Sequence, residues 1–173
     1  MQNPYIPIPV EVIKIVTEVD TKDIKTFRFG FLKKEDEETF RYLPGQFAEL
    51  SIFGKGESPI GIASSPTQTG YIEFTVQKAG VVTSTLHEME EGAVMGVRGP
   101  LGNSWPIDDL AGRNIVIVVV GFAFTTLRSL INYMIDDRNR SRFGKITVIY
   151  GARNPGLLIY KEELAGWAKR ENL

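Results

Sequence analysis

The residues best suited to chemistry fall in three short stretches, none of which is a cluster of catalytic acids and bases. Gly80-Val81-Val82-Thr83-Ser84-Thr85-Leu86 gathers backbone amides and hydroxyls at the start of a short helix. Such a start offers N–H groups and a positive dipole end to an anion, and it suits an ordinary N-cap equally well. Ser58-Pro59-Ile60-Gly61-Ile62-Ala63-Ser64-Ser65-Pro66 has the composition of an edge strand flanked by prolines. Around Gly121 an apolar run turns into a helical pattern, and the first turn of a strand–helix–strand unit commonly holds a phosphate. The chain has no cysteine and a single histidine, His87, which reads as a surface helix residue. That excludes disulfides, cysteine nucleophiles, a His-rich metal site and any iron–sulfur cluster held by thiolates of this chain.

Two kinds of element must carry these stretches. Residues 115–120, IVIVVV, form a β-branched run that reads as a strand buried on both faces, as in a parallel sheet. Leu127, Leu130, Ile131, Met134 and Ile135 then fall on one face of an amphipathic helix, and a second apolar run at 146–150 completes a βαβ unit. Residues 158–170 read as a final helix with Tyr160, Leu164, Trp167 and Ala168 on one face. The first hundred residues differ. After an extended lead-in with Pro4, Pro7 and Pro9, alternating strands are predicted over 10–19, 26–31, 46–53, 71–77 and 93–98. A charged hairpin tip is expected at 33–38 and a short helix at 81–90. The fold expected is an antiparallel β-barrel (1–106) followed by a truncated parallel βαβ nucleotide-binding domain (107–173).

Composition bounds the function classes. With 43% hydrophobic and 24% charged residues the chain has the makeup of a soluble globular protein. Twenty basic against 21 acidic residues, a net charge of −1, argue against nucleic acid as the main partner. The N-terminus lacks the pattern of a signal peptide, and the longest apolar stretch is too short to span a bilayer, so no membrane insertion and a cytoplasmic location are expected.

The order and spacing of PGQF (44–47), SPIGIASSP, TVQKAGVVTSTLH (75–87), GVRGPLGNSWP (96–106), LRSLI (127–131) and YGARNP (150–155) resembles the ferredoxin–NADP reductase-like flavoprotein superfamily. Within it the chain looks most like the electron-transfer subunits of dihydroorotate dehydrogenase, anaerobic sulfite reductase and sulfhydrogenase. The resemblance runs from about Val10 to Arg170 and implies a flavin-binding barrel, with FAD as cofactor and FMN as the alternative. It places Pro59, Ile60, Gly61, Ile62, Ala63 and Ser64 along the isoalloxazine ring and ribityl chain, with Ile62 and Ala63 offering backbone hydrogen bonds. Gln77 and Lys78 would contact the ring or ribityl chain, and Gly80, Val82 and Thr83 would bind the pyrophosphate. Lys78 equally suits a solvated strand end.

Departures from the family pattern bear on activity. Gly61 stands where a serine hydroxyl is expected beside the flavin. The glycine-rich turn that receives a nicotinamide nucleotide is reduced to Val120-Gly121-Phe122-Ala123-Phe124-Thr125-Thr126. Only Gly121 remains of its glycines, which weighs against reaction with NAD(P)H by this chain alone. Phe122 or Phe124 would fill the nicotinamide slot or pack on the flavin or a partner, and Arg153 would meet an adenosine phosphate or lie on the surface. The implied function is a flavin-dependent electron-transfer subunit, passing electrons between a nicotinamide nucleotide or other donor and a partner redox protein, within a larger complex or a homo-oligomer. The alternative is a catalytically silent scaffold or interaction subunit.

Overall fold

A computed structural model describes residues 3, 5–170 and 173; Pro4 of the expected lead-in lies outside the described residues. The chain runs β1 (Ile8–Thr17), β2 (Ile24–Phe31), α1 (Lys34–Thr39), β3 (Phe47–Ile52), β4 (Gly56–Gly61), β5 (Ile72–Gln77), α2 (Val81–Glu88) and β6 (Val94–Leu101). After a 3-10 turn at Ile107–Leu110 come β7 (Ile115–Val120), α3 (Phe124–Ile135), α4 (Asp137–Arg140), β8 (Ile146–Gly151) and α5 (Lys161–Trp167). The architecture is the expected one: an antiparallel, barrel-like sheet and a small parallel βαβ unit.

The six-stranded sheet has the order β4-β3-β6-β1-β2-β5. Alternation along each strand puts Val10, Val12, Phe27, Phe29, Leu50, Phe74, Val76 and Val97 into one buried core. The sheet curls until its two edges approach, and they meet at the isolated Ile62–Phe74 bridge just beyond β4. The Pro44-Gly45 turn before β3 is more than punctuation. Gly45 has φ +103°, and a Cβ there would lie 2.8 Å from the Trp105 nitrogen, because Trp105 N–H donates to Pro44 O at 2.8 Å. That turn thus pins the connector leading out of the barrel.

β7 and β8 pair in parallel from Ile115–Ile146 to Val120–Gly151. Their core takes Ile115, Ile117 and Val119 together with Leu130, Ile131, Met134 and Ile135 of α3, and it also recruits Val19 and Ile24 from the β1–β2 corner. The expectation that β7 is buried on both faces is not met. Val116, Val118 and Val120 are 65, 68 and 70% exposed, because among the described residues helices pack against only the other face.

Three local expectations change as well. In place of a hairpin tip, Lys34–Thr39 form a short helix, α1, with acidic residues in its first turn, where the helix dipole favours them. The helix expected over 81–90 ends at Glu88. The final helix begins only at Lys161, because Pro155–Leu157 is a separate 3-10 turn and Tyr160 sits at φ +56°. Tertiary bonds hold Tyr160 there: its N–H donates to Glu18 Oε2 at 2.8 Å, and its hydroxyl is bonded to Thr75 Oγ1. No helix among the described residues is long and apolar enough to cross a membrane.

Candidate functional site

β4 is an edge strand, paired to β3 from Phe47–Gly61 to Ile52–Gly56 and open on its other side. Pro59 is tolerated there because an edge position needs no second ladder donor, and it lies exposed while Ile60 and Gly61 are half-buried. Beyond Gly61 the chain dives inward, and Ile62, Ala63 and Ser64 are buried. The amides expected to serve the flavin are spent inside the protein: Ile62 N–H donates to Gln46 O at 3.0 Å and Ala63 N–H to Glu73 O at 2.9 Å. The Ser64 hydroxyl is hydrogen-bonded to Tyr42 Oη at 2.9 Å and accepts from Glu73 N–H at 3.0 Å. Burial there pushes the Tyr42 phenol above its usual range, so it stays protonated. The exposed part of this stretch is therefore Ser58–Gly61, with Ile62–Ser64 as its buttress.

The second wall is the start of α2. β5 ends in exposed Gln77, with exposed Lys78 next, anchored to the β1–β2 corner by Lys78 N–H to Asp23 O at 2.8 Å and Gln77 Nε2 to Asp23 Oδ2 at 3.3 Å. Thr83 Oγ1 accepts from both Ala79 and Gly80 N–H at 2.9 Å, so this hydroxyl caps the helix instead of pointing outward as a ligand donor. The first-turn N–H groups of Val81 and Val82 have no intrahelical acceptor. Gly80 is extended, and a Cβ on it would meet nothing within 4 Å. First-turn amides without an intrahelical acceptor are the kind of donor a phosphate group can use. α2 leans on the β3–β4 turn, since a Cβ at Gly56 would come 3.9 Å from Val82 Cγ2. The helix start therefore lies beside the Gly56 end of the edge strand. Concavities of about 350, 450 and 510 Å3 elsewhere are lined by other residues.

His87 is a correction. It is buried, its Nε2 donates to Val76 O at 2.9 Å, and it packs edge-on against Phe27. Burial, partly countered by that carbonyl, holds its pKa below the ordinary value, so the ring is neutral. The helical period alone could not show that α2 lays this face on the barrel.

In the βαβ half, Gly121 has φ +58° and open space beside it, within a 3-10 turn at Gly121–Ala123. Phe124 does not fill a slot. It is wholly buried, stacked on Tyr150 at 4.2 Å between centroids and edge-on to Trp167 at 5.9 Å. Phe122 is half-buried and packs on the same core. Arg153 is exposed just past β8.

What joins the two halves went unnoticed in the sequence. Arg128, 6% exposed, donates from Nε and Nη2 to Glu163 at 2.6 and 2.7 Å, and from Nη1 to Glu73 at 2.7 Å and Ala63 O at 3.3 Å. Its guanidinium lies 4.6 Å from the Tyr160 ring centre. Burial alone would lower its pKa, but Glu163, Tyr160 and Glu73 outweigh that and raise it. Ser129 Oγ donates to Ser64 O at 2.6 Å. The one available signal was a charge inside an apolar stripe, three and seven residues before Ile131 and Ile135. Gly61 is in contact here too: a Cβ would sit 2.7 Å from Thr126 Cγ2, so a serine at 61 would have to displace the Thr126 side chain.

Comparison with known proteins agrees with this layout. A model of the oxidoreductase FAD-binding domain family matches residues 11–105. Sulfhydrogenase 1 subunit gamma from Pyrococcus furiosus is 40% identical over 161 residues, 92% of this chain and 54% of that protein. A probable dihydroorotate dehydrogenase B (NAD(+)) electron transfer subunit from Thermococcus kodakarensis is 30% identical over 133 residues, 77% of this chain and 48% of that protein. The chain thus spans about half the length of these curated relatives. Among solved structures, ferredoxin-NADP+ reductase from Plasmodium falciparum superposes with a TM-score of 0.77 at 16% identity, covering 94% of this chain and 65% of that one, a likeness of fold.

Proposed function

The chain belongs to the oxidoreductase FAD-binding domain family, and from that premise we propose that it is the flavin-carrying module of a multi-subunit oxidoreductase. Electrons would pass through it between a nicotinamide nucleotide or other donor and a partner redox protein. The observation that carries this reading is the N-terminus of α2, whose first-turn amides have no intrahelical acceptor and where a Cβ on Gly80 would meet nothing within 4 Å, together with β4 as an edge strand of the sheet. The Val81 and Val82 amides would hold the pyrophosphate, with Lys78 adding positive charge at the rim. Pro59, Ile60 and Gly61 would line the ring, and Ile62, Ala63 and Ser64 would fix the position of that wall from behind. The bound isoalloxazine supplies the redox chemistry; the chain positions it and excludes water from its inner side. FAD is favoured over FMN because the family model that matches residues 11–105 is that of an FAD-binding domain. Residues 1–106 would form the flavin domain and 107–173 the nucleotide-binding-like domain.

A visible absorption spectrum of the purified protein, incubated with FAD and titrated anaerobically with NADH, NADPH and then dithionite, tests this. Flavin bands that persist with both nucleotides and bleach with dithionite are the expected result, because the turn at 121–126 keeps only Gly121 of the glycines that would let a nucleotide approach the backbone. Bleaching by NADH or NADPH would overturn the reading of that turn. Absence of flavin after incubation with excess FAD would overturn the flavin module and leave the scaffold role.

A further inference from the structure

A cavity of about 510 Å3 lies where β1 and β2 meet the start of α5, on the junction that Arg128 also holds. That volume is in the range of small-molecule sites, which gather between domains. Two irregularities of the backbone converge on it. Among the described residues, Lys22 and Tyr160 are the two with positive φ that are not glycine, at +60° and +56°, and both line the cavity. Left-handed backbone costs energy for a residue with a Cβ, and such positions cluster at binding sites. The register of β1 against β2 also shifts between Val12 and Lys14. Val12 is buried in the barrel, and strict alternation would send Lys14 to the same side; the shift brings it to the cavity instead.

Acidic and basic side chains line the cavity in equal number, five of each, but they are not equally engaged. Glu73 and Glu163 each give both oxygens to arginines. Glu18 accepts from Thr26 Oγ1 and Tyr160 N–H, and Asp20 accepts from Lys161 Nζ at 3.4 Å. Of the five acids, exposed Glu162 alone has no side-chain partner among the described residues. On the basic side Lys14 and Lys22 have none. Arg28 stacks on Tyr71 and donates from Nε to Glu73, which leaves Nη1 and Nη2 free. Lys14 and Arg28 are also direct cross-strand partners. Like charges set opposite one another destabilise a strand pair, so the unused donors stand where an anion is missing.

We propose that this cavity binds a small organic phosphate, with the phosphate between Lys14 and the free Arg28 nitrogens and the organic part toward Val16 and Tyr160. A dianion there turns the like-charge pair into two charge-assisted contacts. The walls come from both halves of the molecule, so the bound ligand fastens the βαβ unit to the barrel. The site is independent of the flavin reading, since none of residues 59–64 or 77–83 lines it.

Calorimetric titration of the full chain with phenyl phosphate at low ionic strength tests this. Binding is expected, and Lys14→Gln should weaken it about tenfold or more, the effect of losing one hydrogen bond to a charged group. Lys145→Gln removes an exposed lysine outside the lining and should change the affinity less than about twofold. Phenol, which lacks the phosphate, should not bind. Without ligand, Lys14→Gln should melt at or above the wild-type temperature, because it removes the like-charge pair. Phenyl phosphate should raise the melting temperature of the wild type more than that of the variant. Absence of binding refutes the site, and so does an affinity untouched by Lys14→Gln, which would put the phosphate elsewhere, such as the start of α2. Phenol binding as tightly as phenyl phosphate refutes recognition of the anion. An unliganded Lys14→Gln protein that melts below the wild type refutes the like-charge argument.

Discussion

Replacing Arg128 by methionine tests the junction between the two halves most directly. Methionine keeps much of the apolar stem of the arginine and removes the guanidinium. Four hydrogen bonds go with it, to Glu163, Glu73 and Ala63 O, together with the contact over Tyr160. Deleting one partner of a buried ion pair costs about 3–5 kcal/mol, because the remaining charge is left in a poor solvent. Two features place this case near the lower end. Glu73 keeps Arg28 at 2.8 Å, and the Glu163 side chain is 29% exposed and can reach water. We therefore expect a loss of about 3 kcal/mol, or a melting temperature lower by roughly 6–12 °C for a chain of this size. Urea unfolding followed by tryptophan fluorescence reads it well, since Trp167 lies buried beside Phe124 in the core that α5 closes. Glu163→Gln, at the solvated end, is expected to cost only about 1 kcal/mol. A double-mutant cycle should show stronger coupling of Arg128 to Glu73 than to Glu163. An Arg128→Met protein within 1 kcal/mol of the wild type, or equal coupling to both carboxylates, would refute the reasoning.

Two further outcomes follow from single residues. His87 has a folded-state pKa below its ordinary value of 6.5, so the unfolded chain binds the extra proton first. Its contribution is complete above pH 6.5 and is lost as pH falls from there through the depressed folded value; wild type should lose more stability between pH 7.5 and 5.5 than His87→Gln, and equal losses in urea titrations would exclude His87 as the cause. Gly45→Ala meets both a φ of +103° and the Trp105 backbone at 2.8 Å, whereas Gly54→Ala meets only a φ of +75° with nothing within 4 Å. The first should cost roughly 2–4 kcal/mol and the second about 1, and thermal melts that rank them the other way would count against the pinned-connector account.

Sequence by itself determined much of this protein. Period-two alternation through Val10, Val12, Phe27, Phe29, Phe74 and Val76 fixed which residues share the barrel's inner face, because a strand's side chains must point to opposite sides. The spacing of Leu130, Ile131, Met134 and Ile135 did the same for α3, and the glycine and hydroxyls at 80–83 marked a helix start with amides to spare. Periodicity says which residues stand together; it does not say what is packed against them. Only the tertiary structure decided that Val116, Val118 and Val120 stay exposed while Ile115, Ile117 and Val119 do not, although all six are β-branched and apolar. The same holds for His87, buried because α2 lies on the barrel, and for Phe124, taken into the core by Tyr150 and Trp167 from 26 and 43 residues further along the chain. The roles of Gly61 and Arg128 depend on residues tens of positions away, Thr126 in one case and Glu73 in the other. Contacts between distant segments form only when the chain has folded, and those contacts hold the 61–64 segment against α3.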